Sequence, residues 1–483
     1  MEKLKPITPT SPQDFLSAEE IKAWDVFERP ASPREQKALL ASAVAKHQLD
    51  NPFQVAGQHF VIGCVALEIT QRCNLDCTAC YLSDYSEAVH DLPLDEVFRR
   101  IDLIADYYGP NTNVQVTGGD PTLRKRDELV AIIARLAEKQ LRPALFTNGI
   151  KATREMLSEL KEAGLKDVAF HVDMTQERKG FESEMALNAI RDEYIERARG
   201  LGLQVIFNTT LYQGNLAEIP SLVDYFCGRA DQIHLASFQM IADTGRGIER
   251  ERGGAITQDV VMDAIREGVG VEMAFDFPQI GHLECNRYSK VLVAGDNRVA
   301  AFTGRDRPFY ARLMPFAAKL FLDRHKPIRS LLSFAKHMLN GNLSLLAAMF
   351  AYGGRKAWAL RSGLWQGKGQ VDMISLYVHN FMHAEQLSKE RCDTCVFMTM
   401  TRDGPVSMCV HNAKRDSFIL QDVTTKDGQQ WNPLGKTHQL PVEELPTKRL
   451  KGRERAARDA VRVGGRIGEI ASKREKAQST PVV

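Results

Sequence analysis

From residue 65 to 240, short apolar runs rich in β-branched residues alternate with longer stretches whose apolar positions recur near a helical period. The runs at 65–70, 113–117, 144–147, 167–172, 203–208 and 232–238 predict strands; 94–107, 128–139, 154–163 and 185–200 predict the helices between them. In the first of these helices Val97, Ile101, Leu103 and Ile104 mark the face to be covered. Alternation of strand and helix implies parallel pairing through right-handed crossovers. Six units are too few to close an eightfold barrel. The pattern predicts an α/β fold with an open, partial (β/α)6 barrel over residues 61–270. In folds of this kind functional residues gather at the C-terminal ends of the strands.

Outside that core the pattern changes. Residues 1–60 form a lead-in with a helix near 36–47, and Phe15, Trp24 and Phe27 suit its docking on another surface. The core is expected to end near Thr244-Gly245-Arg246-Gly247 and the charged stretch 249–252, with one more helix at 256–267. A strand-like run, 290–294, lies in the region 271–304. Residues 305–370 form an insert; its part 305–368 holds twelve Lys or Arg against two Asp. Leu313, Phe316, Ala317, Leu320 and Phe321 fall at helical spacing, as do Ile328, Leu331, Leu332, Phe334 and Leu339. The stretch 343–352 is nearly all apolar, and Arg355, Lys356, Trp358 and Arg361 follow it. A helix lying on an anionic membrane surface would have this composition. So would a helical cap over the barrel mouth with a solvated basic face, and either could line a channel for a greasy substrate. In 371–425 the turn Asp403-Gly404 separates two apolar runs and predicts a small hairpin. The remainder, 426–483, is a basic tail, with eleven basic residues against four acidic from Thr447 onward, read as a partly disordered solubilising arm.

With 44% hydrophobic and 26% charged residues, the 483-residue chain can bury a sizeable core. A net charge of +2 gives no electrostatic footprint for nucleic acid, and none is expected as a partner. The start, Met1-Glu2-Lys3-Leu4-Lys5-Pro6, has no apolar signal core, and no apolar run is long enough to span a membrane. Nine cysteines in such a chain read as metal chemistry in a cytoplasmic protein, with peripheral membrane contact through the insert as one option.

The cysteines carry the chemistry. Cys73, Cys77 and Cys80 lie within eight residues directly after the first strand. A cubane iron–sulfur cluster takes one thiolate on each of four irons, so three local cysteines leave one iron open. An open position is what a catalytic metal site keeps. A structural zinc or a disulfide knot is the alternative, although zinc motifs usually add a second, distant cysteine pair. The second strand runs into Thr117-Gly118-Gly119-Asp120-Pro121-Thr122, where glycines let backbone approach a ligand, unless the segment is only an ordinary turn. Later strand ends carry Thr147-Asn148-Gly149, His171 with Asp173, Asn208-Thr209-Thr210 and Ser237-Phe238-Gln239. His171 reads as an acid or base, or as a satisfied strand-end histidine. Cys285, the pair Cys392 and Cys395, and Cys409 form a second set; four thiolates would complete a closed cluster or a zinc site. The alternative is two unrelated groups of thiols with Cys285 merely buried. Cys64 and Cys227 read as core residues.

The stretch Glu68-Ile69-Thr70-Gln71-Arg72-Cys73-Asn74-Leu75-Asp76-Cys77-Thr78-Ala79-Cys80 resembles the cluster loop of radical S-adenosylmethionine (SAM) enzymes. That resemblance implies a partial barrel and a 4Fe-4S cluster on Cys73, Cys77 and Cys80, whose open iron is chelated by SAM. Reduction then cleaves the sulfonium to a 5′-deoxyadenosyl radical. Gly118, Gly119 and Asp120 resemble the family's Gly-Gly-Glu-Pro motif, which holds the SAM amino group; Asp120 is one methylene shorter than the usual glutamate. Asp173 and Asn208 match ribose and carboxylate contacts approximately. Ala79 stands where the family often has an aromatic residue, and Tyr81 follows the last cysteine instead. Downstream, His282-Leu283-Glu284-Cys285-Asn286, His383-Ala384-Glu385 and the segment from Asp403 to Asn412 resemble the group that contains archaeal tetraether lipid synthase and the methanogen pterin methyltransferase. That likeness implies carbon–carbon coupling or methylation at an unactivated carbon of a small-molecule or lipid substrate, with a reducing protein such as flavodoxin or ferredoxin as electron donor. A peptide maturase with an auxiliary cluster is the second expectation, although residues 1–60 look short for a leader-binding module. A non-catalytic metal-binding or membrane-associated scaffold is the third.

Overall fold

The computed structural model describes residues 15–23, 31–246, 256–320, 323–324, 327–339, 342–367 and 369–435. Trp24, Phe27, Gly247, the stretch 249–252, Phe321 and the tail beyond 435 lie outside the described residues.

The strands are β1 (Cys64–Thr70), β2 (Asn113–Gly118), β3 (Arg142–Thr147), β4 (Asp167–His171), β5 (Gln204–Leu211), β6 (Ile233–Met240), β7 (Asn286–Ala294), β8 (Asn297–Ala300), β9 (Asp372–Asn380), β10 (Phe397–Thr401) and β11 (Gly404–Ser407). A separate ribbon pairs β12 (Val423–Thr424) with β13 (Gln430–Trp431). The lead-in holds helices α1 (Ala18–Ala23) and α2 (Pro33–Lys46). The core adds α3 (Leu94–Tyr108), α4 (Arg126–Glu138), α5 (Arg154–Glu162), α6 (Asn188–Ala198), α7 (Ile219–Cys227) and α8 (Gln258–Val269). The insert carries α9 (Arg307–Ala317), α10 (Pro327–Leu339), α11 (Leu343–Ala359) and α12 (Arg361–Gln366), and the C-terminal part α13 (Lys389–Asp393), α14 (Met408–Ala413) and α15 (Arg415–Ile419).

All six strands expected of the core form, in the parallel order β1 to β6. The sheet then continues where local periodicity gave no warning. β10 pairs parallel on the outer edge of β1, and β9 pairs parallel on β6. Antiparallel β11 and the β7–β8 hairpin finish the two edges. The regions 271–304 and 371–425 thus supply strands to the same open sheet as the core. The two edges of the parallel run meet through side chains, with the His379 ring edge-on to Phe397 at 4.8 Å. The hairpin foreseen around Asp403-Gly404 is β10–β11; its second strand stops at Ser407, and Met408 starts α14 rather than extending it.

Burial follows the pattern that set the elements. Val97, Ile101, Ile104 and Tyr108 line one face of α3 and are covered against the sheet. Thr153 and Thr257 cap α5 and α8 by accepting the amides of Met156 and Val260. β1 is buried at every position, which puts the Glu68 carboxylate inside the core. Phe170, Phe207, Phe226 and Phe238 form the centre of the core, with Phe207 and Phe226 stacked at 5.7 Å. The lead-in docks as expected of Phe15: it bridges to Ser388, and Ile21 packs beside Cys392 and Cys409.

The insert does not cap the barrel mouth. Arg324 donates from its backbone to Asn111 Oδ1 and from its side chain to Asn113 Oδ1, at the start of β2. It therefore packs at the N-terminal end of the sheet, opposite the end where the cysteine loop emerges. Phe226→Ala should lower stability by about 3–5 kcal/mol through the cavity it leaves. A urea midpoint within experimental error of wild type would show that this aromatic cluster is not the centre of the core.

Candidate active site

The cysteine loop leaves β1 and is held in place by its neighbours. Thr70 Oγ1 donates to Asp91 at 2.5 Å, and the Arg72 guanidinium pairs with the same carboxylate. The turn after β2 lies directly against this root: the Gly119 amide donates to Thr70 O at 2.8 Å and the Asp120 amide to Arg72 O at 2.7 Å. A Cβ on Gly118 would stand 2.0 Å from Thr70 O, and one on Gly119 1.9 Å from Arg72 O. The sequence reading had these glycines making room for a ligand. The structure shows them also making room for the cysteine loop's own backbone. Further along, the Thr78 amide donates to Thr175 O at 2.8 Å, fixing the loop to the end of β4.

A cavity of about 240 Å³ opens at this end of the sheet. Cys73, Cys77, Cys80, Gly118, Gly119, Asp120 and Asn208 all line it. Asp173 does not. It is fully buried, and its carboxylate accepts from His171 Nε2 at 2.6 Å, from Thr175 N and Oγ1, and from Thr210 N. Asp173 is thus a support for His171, and His171 is the residue that reaches the cavity. Burial alone would depress the His171 imidazole; the Asp173 carboxylate outweighs it and raises His171 toward its protonated form. The same pairing holds Asp173 below the usual carboxylate range against the opposing effect of burial. Asp120 is also committed: it accepts from Thr122 N and Oγ1, Thr147 Oγ1 and Asn148 N. The carboxylate clamps the ends of β2 and β3 together, and Asn148, so placed, points its amide at Cys73 Sγ, 3.9 Å away.

Sequence reasoning missed two arginines. Arg246, in the segment after β6, is buried against the loop and hydrogen-bonds Cys80, with Asp76 and Cys73 also near. Its neighbour Gly245, at φ +59°, admits this approach; a Cβ there would meet the Tyr81 carbonyl at 2.3 Å. Arg415, the first residue of α15, donates to both oxygens of Glu68 at 2.8 and 2.9 Å and lies 4.6 Å over the Tyr81 ring. Tyr81 in turn donates to Gly118 O at 2.6 Å. Burial pushes the Glu68 carboxyl up, but Arg415 and His411 prevail and bring it down to about 2. The only sequence signal for the Arg415 contact was a lone Glu in an otherwise apolar strand, a charge that a buried strand must pair.

The second cysteine set also assembles. Cys285, Cys392, Cys395 and Cys409 lie within electrostatic reach of one another. Cys285 immediately precedes β7 and its carbonyl accepts the Asn380 amide at the end of β9, whereas Cys395 lies two residues before the start of β10. The set therefore sits at the seam between the two edges of the parallel run. Arg391 Nε donates to Cys285 Sγ at 3.1 Å. Cys64, buried as expected, borders the set beside Cys395, and Cys227 is a core residue on α7. None of the four lines the cavity.

The radical SAM superfamily model matches residues 67–226. The GTP 3′,8-cyclase of Streptomyces coelicolor is 31% identical over 252 residues, half of this chain and 71% of the relative. The chain belongs to the radical SAM superfamily. Radical SAM relatives also include the Fe-coproporphyrin III synthase of Methanosarcina barkeri, 28% identical over 212 residues, covering 42% of this chain and 49% of the relative. The 7,8-dihydro-6-hydroxymethylpterin dimethyltransferase of Methanocaldococcus jannaschii is 28% identical over 190 residues, 38% of this chain and 37% of the relative. The chain spans about half or less of the length of these last two proteins. That superfamily uses a 4Fe-4S cluster and SAM.

Arg415→Ala abandons the Glu68 carboxylate in the core and should destabilise the protein by about 3–5 kcal/mol at pH 7. In the wild type the lowered Glu68 pKa stabilises the fold above the unfolded value of about 4.3, and that contribution fades as pH falls toward about 2. The unpaired carboxylate of the variant takes a proton more readily, so the gap between variant and wild type should narrow at pH 4. Urea midpoints at the two pH values check this; a gap that widens on acidification would contradict the pairing.

Proposed function

We propose that Cys73, Cys77 and Cys80 ligate the catalytic 4Fe-4S cluster and that the enzyme abstracts hydrogen from an unactivated carbon of a small-molecule or lipid substrate, leading to carbon–carbon coupling or methylation. The observation that carries this reading is the shared cavity: three thiols from one loop open into the space that Gly118, Gly119 and Asn208 also line. The donor set fits the cluster. Burial, with Cys80 and Cys73 beside it, pushes the Cys77 thiol well up, and such crowded thiols become thiolates only against a cationic centre. Among the described residues no three Cys, His, Asp or Glu converge on a single-ion point, whereas a cubane spreads its thiolates over separate irons. With SAM bound, the cluster supplies a carbon-centred radical capable of taking such a hydrogen.

The chain's own groups then have separable tasks. Gly118 and Gly119 offer main-chain atoms at the cofactor end of the cavity, while Asp120 fixes their turn. Asn208, within β5, lines the cavity and would hydrogen-bond the SAM ribose or carboxylate. Arg246 offsets the negative charge of the cysteine loop. The wall formed by Phe146, Ile241, Phe381, Phe397, Met408 and His379 is apolar or aromatic. Burial drives His379 down to about 3, so its ring is neutral at physiological pH. This uncharged part of the wall suits a carbon skeleton and excludes water from the reacting centre, while Glu68, Asp120, His171 and Arg415 line the remainder. Cys285, Cys392, Cys395 and Cys409 are assigned to a second, closed 4Fe-4S centre that clasps the seam between β9 and β10, with electron relay or substrate anchoring as its roles. A reducing protein such as flavodoxin or ferredoxin completes the system.

Anaerobic reconstitution should give about eight irons per chain. Cys77→Ala should retain about four and form no 5′-deoxyadenosine with dithionite and SAM. Cys395→Ala should also fall to about four yet keep cleaving SAM. Four irons in the wild type would remove the second cluster, and undiminished product from Cys77→Ala would remove the first. For the substrate class, 5′-deoxyadenosine should acquire deuterium from a perdeuterated lipid or small-molecule extract; deuterium taken only from the peptide fraction would overturn that assignment.

A further inference from the structure

The insert has two helices whose exposed sides are apolar. On α10, Ile328, Leu331, Leu332 and Leu339 are 76, 68, 66 and 63% exposed. Their spacing places them on one face, while Phe334 and Met338 on another face pack into a cluster with Phe316, Phe309 and Leu345. On α11 the exposed positions Leu343, Ala347, Phe350, Gly354, Ala357 and Trp358 run along one side at helical spacing. Phe350 is 74% and Trp358 70% exposed, and Trp365 on α12 is 90% exposed. These side chains are not needed to hold the insert together, because Phe309, Tyr310, Met338, Leu345 and Tyr352 already do so against Phe53, Phe277 and Phe302. Nor do they serve the cavity: among the described residues none of the insert lines it. Exposed apolar area of this kind marks an interaction surface.

We propose that α10, α11 and α12 dock this enzyme on an anionic lipid surface, with the apolar stripes entering the headgroup–acyl boundary and Arg329, Lys336 and Arg361 at headgroup level. Charge selects this occupant. The segment 305–368 holds twelve Lys or Arg and only two Asp. One of the two, Asp306, is buried and already bound by Lys356, Arg355 and Thr303. What faces outward is basic, and Arg361 stacks 4.6 Å over Trp358, the pairing of ring and cation found at bilayer interfaces. A second copy seated on this face would set one basic patch against another in an isologous contact, and like charges disfavour it. Among the described residues no helix is long and apolar enough to cross a membrane, so the contact is interfacial. The surface lies at the end of the sheet opposite the cysteine loop, which leaves the cavity mouth open while the protein is docked.

The test uses the full chain with vesicles of phosphatidylcholine containing about 30% phosphatidylglycerol, against pure phosphatidylcholine. Wild type should float with the anionic vesicles and not with the neutral ones, with a blue shift of tryptophan emission. The variant Ile328→Ser, Leu331→Ser, Leu332→Ser, Phe350→Ser changes only exposed positions; it should keep its circular dichroism and iron content and lose about tenfold or more in bound fraction. Absence of flotation for the wild type would overturn the proposal. So would equal flotation of the variant, which would assign binding to the basic tail, or a wild-type dimer that the same variant dissolves, which would assign the face to a second copy. SAM cleavage in detergent-free solution should be unchanged in the variant, so failure here is distinguishable from failure of the cluster assignment.

Discussion

The structure rests on a contact between two pieces of main chain. The Gly118-Gly119 turn and the Thr70–Arg72 root of the cysteine loop lie so close that no side chain fits between them. Two backbone hydrogen bonds close the contact, and a buried carboxylate, Asp120, locks the turn from behind. An eight-residue loop with three thiols would otherwise sample many arrangements. This contact limits it to one, and Asn148, Thr175 and Arg246 complete the restraint. Catalytic geometry here is built on backbone at strand ends, where a mispositioned loop would cost far more rate than stability.

A second layer of restraint reaches the site from the C-terminal part of the chain. Arg415 threads to Glu68 inside β1 and covers Tyr81, so α15 is tied to the loop by a buried ion pair. Such a pair is strongly destabilising to break even where it adds little net stability. It couples α15 to the strand that launches the cysteines. The seam cysteines do the same at the other edge, joining the segments before β7 and β10 around one point. The sheet stays open in its hydrogen bonding yet is pulled together by side chains where its edges approach.

Much of this was legible in the sequence, and the limits have physical causes. The six core strands and their helices follow from local periodicity, and the cysteine loop from its spacing. β9 and β10 were not placed in the parallel sheet, because their partners lie more than a hundred residues away and no local pattern encodes such pairing. The glycine turn was legible in place, but its second task was not: a missing Cβ shows that something comes close, without telling ligand from backbone. Asp173 matches family cofactor contacts only approximately; it lies beyond the end of β4, buried under Thr175 and Thr210, and His171 is the residue of the pair that lines the cavity. Arg246 and Arg415 carry no motif; their importance comes from burial beside charge. The insert's composition fitted a cap and a surface helix equally, and only Arg324 at the start of β2 decided which end it occupies.

The proposed cluster on the Cys73–Cys77–Cys80 loop has one iron open to SAM. It is tested most directly by electron paramagnetic resonance of the anaerobically reconstituted, reduced Cys395→Ala protein, recorded before and after adding SAM. A 4Fe-4S signal whose g-values shift on addition is the predicted result, since only a cluster with an unligated iron can take the amino and carboxylate groups. A signal that SAM leaves unchanged, or a loop that holds only zinc, would contradict it.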